Sequence, residues 1–267
     1  MATIRPRQFA PLKPGVAVDP ALPKLKGVVF DVDGTLCQPQ NYMFGEMRAA
    51  LGITKSVDIL DHVYSLPTPE AQHAAQESIR AIERRAMASQ VAQPGLVDLM
   101  DYLDRRGVRK GICTRNFEQP VNHLLGKFLG DHVFEPIVTR DFRPPKPDPA
   151  GILHIARSWG LVRGPAAVRN EAEAVKSPGE ELVDHEELAA EARESGHPGE
   201  EADASALIMV GDSIDDMTAG HRAGAATVLL VNDVNRHLAE HEHTDLVISR
   251  LDELIDVLEK GFLGRHK

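Results

Sequence analysis

The 267 residues, 42% of them hydrophobic and 26% charged, suffice for one large domain or for a core carrying an inserted module. No apolar run approaches the roughly 20 residues that span a bilayer, and the amino terminus lacks the apolar stretch of a secretory signal, so no membrane partner is expected. The formal net charge of −10 is local: residues 171–205 hold twelve acids against two bases, and the remaining acids and bases balance. With 4% aromatic residues and no basic stripe, a nucleic-acid partner is not expected either.

In chain order, residues 1–24 carry Pro6, Pro11, Pro14, Pro20 and Pro23 and are expected to form a disordered leader. Its early bases allow a mitochondrial transit peptide as a minor alternative to a cytoplasmic location, but the prolines spoil an amphipathic helix. From Lys26 onward, β-branched runs predict strands at 27–32, 108–114, 133–139, 206–211, 226–232 and 246–249. Apolar residues recurring three and four positions apart predict helices at 95–106, 149–159, 215–223 and 251–259 between them. The expectation is an α/β fold, a Rossmann-like parallel sheet with helices on both faces.

Two stretches interrupt the alternation. Residues 37–92 show no strand but a long amphipathic pattern over 69–91, with Ala71, Ala75, Ile79, Ile82 and Ala86 on one side, and predict a small inserted α-helical cap. The core is then 25–36 with 93–267. Within it, residues 164–205 are acidic, short of large apolar side chains, and expected to be a disordered insertion. Cys37 and Cys113 are neither paired nor metal-spaced and are expected to be reduced thiols.

In a parallel sheet, ligands bind at the carboxyl ends of the strands. The polar residues gather there. The first strand ends in Asp31 and Asp33, the second in Thr114, the third precedes Lys146 in PPKPDP, and the fourth ends in Gly211, Asp212 and Ser213 with Asp216 beyond. Clustered carboxylates without histidine or cysteine suit a hard, oxygen-seeking cation, Mg2+ in particular. A lysine, a threonine hydroxyl and backbone amides supply donors for phosphoryl oxygens. One carboxylate of an adjacent pair can attack phosphorus while the other protonates the leaving alkoxide and later takes a proton from water. Gly34 lets the chain turn directly after the pair, with Thr35 following. A calcium loop is disfavoured, because Tyr42 stands where its glutamate belongs.

The ordered set DVDGT (31–35), Thr114 in GICTRN, Lys146 in KPDP and GDSIDD (211–216) resembles the four motifs of the haloacid dehalogenase superfamily, over roughly residues 25–260 apart from the acidic insertion. The resemblance implies Asp31 as nucleophile and Asp33 as general acid and base. It implies Mg2+ held by Asp31, Asp212 and the backbone carbonyl of Asp33, with Thr114 and Lys146 binding the phosphoryl group. Asp216 would orient Lys146 or a metal-bound water, with Ser213 beside it. True dehalogenases lack the second acid, so Asp33 implies phosphate chemistry. The helical insertion resembles the cap of phosphoglycolate-phosphatase-like and β-phosphoglucomutase-like members, which closes over the substrate.

The expected activity is a Mg2+-dependent phosphatase acting on a small phosphorylated metabolite. A sugar phosphomutase of the same fold and a non-catalytic binding or regulatory protein using the acidic insertion are the alternatives. Arg115 and Asn116, directly after Thr114, are further candidates for substrate binding. In the cap, Tyr42, Arg48, Arg84 and Arg85 are candidates for an anionic substrate, although arginines on an amphipathic helix often form its solvated face. His237, His241 and His243 are read as surface residues rather than a zinc site.

Overall fold

The computed structural model describes residues 6–40, 42–163 and 201–265. In chain order the elements are β1 (Gly27–Phe30), α1 (Tyr42–Leu51), α2 (Ile59–Ser65), α3 (Pro69–Ala88), α4 (Leu96–Arg105), β2 (Arg109–Cys113) and α5 (Glu118–Phe128). After them come β3 (Ile137–Val138), α6 (Ala150–Ser158), β4 (Val162–Arg163), β5 (Glu201–Ala202), β6 (Leu207–Gly211) and α7 (Ile214–Ala223). The chain closes with β7 (Ala226–Leu230), β8 (Leu246–Ile248) and α8 (Glu253–Lys260).

Six strands form one parallel sheet in the order β3-β2-β1-β6-β7-β8. β1 lies at its centre, with Phe30 in register with both Ile112 and Val210. The chain first winds outward through β2 and β3, then returns to the other side of β1 as β6. That reversal opens a crevice beyond the carboxyl end of β1. Side-chain alternation sorts β1 between two cores. Val28 and Phe30 join Leu99, Leu103, Leu124 and Leu254 on one face, whereas Val29 joins Met209, Ile152 and Ile155 on the other. All three β1 side chains are fully buried, so Asp31 is carried on a rigid support.

Helices α1–α3 build a separate small core from Met43, Met47, Ile59, Val63, Ala75, Ile79, Ile82 and Ala86. The α3 start follows from Thr68, whose side chain accepts from the Ala71 amide, and from Pro69 at the first turn. It ends at Ala88 rather than 91, because the chain beyond it becomes extended: Gln38 N donates to Val91 O and Gln93 N to Leu36 O. The two connections between the helices and the sheet thus run paired, side by side.

Three further expectations are corrected. Only Ile137 and Val138 of the predicted third strand join the sheet, since Pro136 has no amide to donate at this edge position. The leader is ordered from residue 6: Phe9 is buried against Phe262, its amide donates to Phe262 O, and Leu12 N donates to Leu258 O. Its apolar side chains find a partner surface in the carboxyl-terminal segment, which outweighs its prolines. Of the predicted disordered insertion, residues 164–200 lie outside the described residues. Residues 201–205 are ordered, with β5 antiparallel to β4, Asp203 ion-paired to Arg163 at 2.8 Å and Ala204 fully buried.

Candidate active site

Asp31 and Asp33 leave the end of β1 in different directions. Asp31 Oδ1 accepts from Lys146 Nζ at 2.8 Å, and the same ammonium donates to Asp216 Oδ1 at 2.5 Å. Asp33 Oδ2 instead accepts from Asn116 Nδ2 at 2.8 Å, with Cys37 Sγ 3.6 Å from its other oxygen. Gly34 makes the separation possible: its φ is +81°, and a Cβ there would sit 2.1 Å from Asp212 Oδ2. Thr35 is fully buried, and its hydroxyl has no partner among the described residues.

The fourth motif is held by a helix start. Ser213 caps α7, accepting from the Asp216 amide, while the Asp216 carboxylate accepts from Ser213 N at 3.0 Å and Ser213 Oγ at 2.6 Å. Carboxylate oxygens of Asp31, Asp212 and Asp216 consequently all lie within 4.8 Å of one another, the one such cluster among the described residues. Asp216 therefore joins the acid group as well as holding Lys146, whereas the Asp33 side chain lies outside it. Asn235, after β7, donates to the backbone carbonyl of Asp212 at 2.7 Å, and Asn232 donates to its carboxylate at 3.3 Å.

Electrostatics follow from burial. Desolvation pushes Asp31 up to about 7, against the Lys146 charge, and Asp212 up to about 8, reinforced by Asp216 and Asp31. Asp33 is also raised by burial, against its hydrogen bond from Asn116. Burial would lower Lys146, but Asp216 and Asp31 hold it above the ordinary lysine range. Three acids facing one lysine can all be ionised together only beside further positive charge, and the donors are all oxygens. The residues fit a hard divalent cation.

Thr114 directly follows β2, its amide bonded to Val138 O, and is buried beside the acids. Arg115 Nη1 donates to Asp215 at 2.6 Å and Nη2 to Asp58 at 2.7 Å. Arg140, just past β3, is buried against Glu83 of α3 and donates to the Arg115 carbonyl at 3.1 Å. Together these groups line a cavity of about 300 Å³, roofed from the helical side by Met43, Phe44, Met47 and Arg48. Tyr42, Arg84 and Arg85 do not line it, being engaged with Ser89, Glu77 and Glu46 respectively. His237, His241 and His243 also lie outside it. Both cysteines are buried and free, and burial pushes the Cys37 thiol far up, leaving it protonated and unreactive.

Several residues escaped the sequence reading. Arg140 and the pair Asn232 and Asn235 follow strands at the ligand-binding edge, so the edge rule applied to every strand would have found them. Asp58 carried an N-cap signal, and Glu83 was an acid next to Ile82 on the apolar stripe of α3.

The fold and the site together define an α/β enzyme with an acidic, lysine-balanced centre at the carboxyl edge of a parallel sheet, roofed by inserted helices. A family model of haloacid dehalogenase-like hydrolases matches residues 25–224, and the chain belongs to that family. An uncharacterized hydrolase of Saccharomyces cerevisiae is 39% identical over 241 residues, covering 89% of this chain and 91% of the yeast protein. Phosphoglycolate phosphatase 1 of Pseudomonas aeruginosa is 26% identical over 275 residues, covering 90% of this chain and 81% of that protein. A solved hydrolase from Pseudomonas syringae shares the fold with a TM-score of 0.59 at 20% identity, covering 88% of this chain and 98% of its own. No helix among the described residues is long and apolar enough to cross a membrane.

Proposed function

We propose that the protein is a Mg2+-dependent phosphatase that hydrolyses a small phosphorylated metabolite through an aspartyl-phosphate. The observation that carries this reading is the division of labour between the two acids: Asp31 is held by Lys146 inside the acid cluster, while Asp33 is held apart by Asn116. Asp31, Asp212 and the Asp33 backbone carbonyl would hold the cation, with Asp216 close by; when bound, it neutralises the clustered charge and that of the phosphoryl oxygens.

Lys146 and Thr114 orient the phosphoryl group against Asp31. An Asp31 oxygen forms a bond to phosphorus as the ester P–O bond breaks. Asp33, which burial favours in its protonated form, gives its proton to the departing alkoxide. Asp33 then takes a proton from a water molecule as the water oxygen attacks phosphorus. The P–O bond to Asp31 breaks, releasing phosphate and restoring both acids. The helical roof excludes bulk water while Asp31 carries the phosphoryl group. Buried, free Cys37 and Cys113 accord with a reducing, cytoplasmic setting.

The test is hydrolysis of para-nitrophenyl phosphate by purified protein with and without Mg2+, beside Asp31→Asn. Metal-dependent turnover that disappears in the variant is the expected result. Turnover indifferent to Asp31 would refute the assignment of the nucleophile.

A further inference from the structure

Arg115 stands in the chain between Thr114 and Asn116, and its position beside a cavity makes it resemble a ready-made anion receptor. Its partners say otherwise. One guanidinium edge engages Asp215 and the other Asp58, at 2.6 and 2.7 Å, so two carboxylates already share the cation. A substrate anion would have to displace a carboxylate that the fold holds in place.

The two acids belong to different parts of the molecule. Asp215 is in the first turn of α7, next to Asp216. Asp58 is the N-cap of α2 among the inserted helices, and its Oδ1 accepts from the Leu60 and Asp61 amides, leaving Oδ2 for Arg115. Residue 115 is gripped a second time through its backbone: its carbonyl accepts from Arg140 Nε, and Arg140 is paired with Glu83 of α3. Arg140 N also donates to the Asn116 carbonyl at 2.8 Å. The loop 114–116 is thus held from α2 through the Arg115 side chain and from α3 through Arg140. That same loop presents Asn116 to Asp33.

Resting on the phosphatase reading, we infer that Arg115 is a positioning residue, a clasp that aligns Thr114 and Asn116 only when the inserted helices are closed over the cavity. Displacing those helices about the paired connections at 36–38 and 91–93 would part Arg115 from Asp58 and Arg140 from Glu83. The loop then loses its outer restraint. Closure and alignment are one event, because the inserted helices that roof the cavity also carry Asp58 and Glu83, the groups that fix the loop.

The test uses the full chain and two variants. Asp58→Asn keeps an N-cap of equal quality on α2 and removes the charge that Arg115 meets. Arg115→Gln removes the clasp from the other side. With para-nitrophenyl phosphate and Mg2+, each variant is expected to lower kcat about tenfold with KM little changed, the scale of one charge-assisted hydrogen bond. The double variant should be no worse than the poorer single one, and Arg115→Lys should recover part of the loss. Amide hydrogen exchange across 114–118 should also quicken in Asp58→Asn, a readout that needs no turnover. A rise in KM confined to Arg115→Gln, with Asp58→Asn behaving as the parent in turnover and exchange, would make Arg115 a substrate ligand and overturn the clasp. If the parent chain shows no turnover, the phosphatase reading fails separately: quickened exchange in Asp58→Asn still upholds the coupling of loop and helices, and unchanged exchange overturns it.

Discussion

Glu83→Gln offers a test of whether the buried contact between α3 and the core is an ion pair at neutral pH. Glu83 is 3% exposed; one oxygen meets Arg140, and the other, Oε2, is buried with no hydrogen-bond partner among the described residues. Desolvation pushes the carboxyl up to about 7, against the Arg140 charge and with the Asp33 charge, while Arg80 acts weakly the other way. An unfolded glutamate titrates near 4.5. The folded pKa is the higher one, so this group's contribution to stability is fully present below pH 4.5 and is lost as pH rises to about 7. Across that window the loss approaches about 3 kcal/mol. Glutamine has the shape of the neutral acid, still offers a carbonyl to Arg140 and does not titrate. Urea unfolding in EDTA at pH 5 and pH 8 should show the variant gaining on the parent by about 2 to 3 kcal/mol between the two conditions. If the variant instead loses ground as pH rises, Glu83 is ionised throughout, the Arg140 charge outweighs desolvation, and the reasoning fails.

Three other outcomes follow from the site. Asn116→Ala removes the amide donor of Asp33, and kcat for phosphate ester hydrolysis should fall about 10- to 100-fold, with the fold unchanged by circular dichroism. Gly34→Ala places a Cβ at positive φ and against Asp212, so urea unfolding should show a loss of about 1 to 2 kcal/mol and turnover should collapse; normal activity would mean the turn is less demanding than its geometry. Mg2+ at a hundredfold excess over its dissociation constant should stabilise the chain by about 2.7 kcal/mol in a thermal melt. Asp212→Asn should lose most of that gain, and an identical shift in the variant would put the cation elsewhere.

What was legible in the sequence is what depends on neighbours in the chain. The apolar run Val28, Val29 and Phe30 announces a strand, and the acids directly after it fall at the ligand-binding edge whatever the details of packing. The same holds for Thr114 after β2 and for Asp212, Ser213 and Asp216 after β6. The contacts that close the cavity were not legible. Arg115 meets partners 57 and 100 positions away, and Arg140 meets Glu83 57 positions away; no local period encodes such pairings. The leader was misread for a related reason. Its composition resembles a flexible tail, but Phe9 finds Phe262, a residue at the other end of the chain.

The matched family region ends at residue 224, yet the acid cluster draws on residues beyond it. Asn235 is buried, and it donates both to the Leu230 carbonyl at the end of β7 and to the Asp212 carbonyl. Its Oδ1 in turn accepts from Asn232 N, and Asn232 reaches the Asp212 carboxylate. Two uncharged amides are well suited to this task. They fix the backbone and side chain of Asp212 without neutralising it, whereas an arginine there would cancel the charge that a cation needs. Gathering Asp31, Asp212 and Asp216, two of them buried, around a single lysine costs stability. The chain supports that cost with a β1 strand buried on both faces, and it spends neutral donors rather than charges on orientation. Such an arrangement favours function over stability at one edge of the sheet and compensates in the layers beneath it.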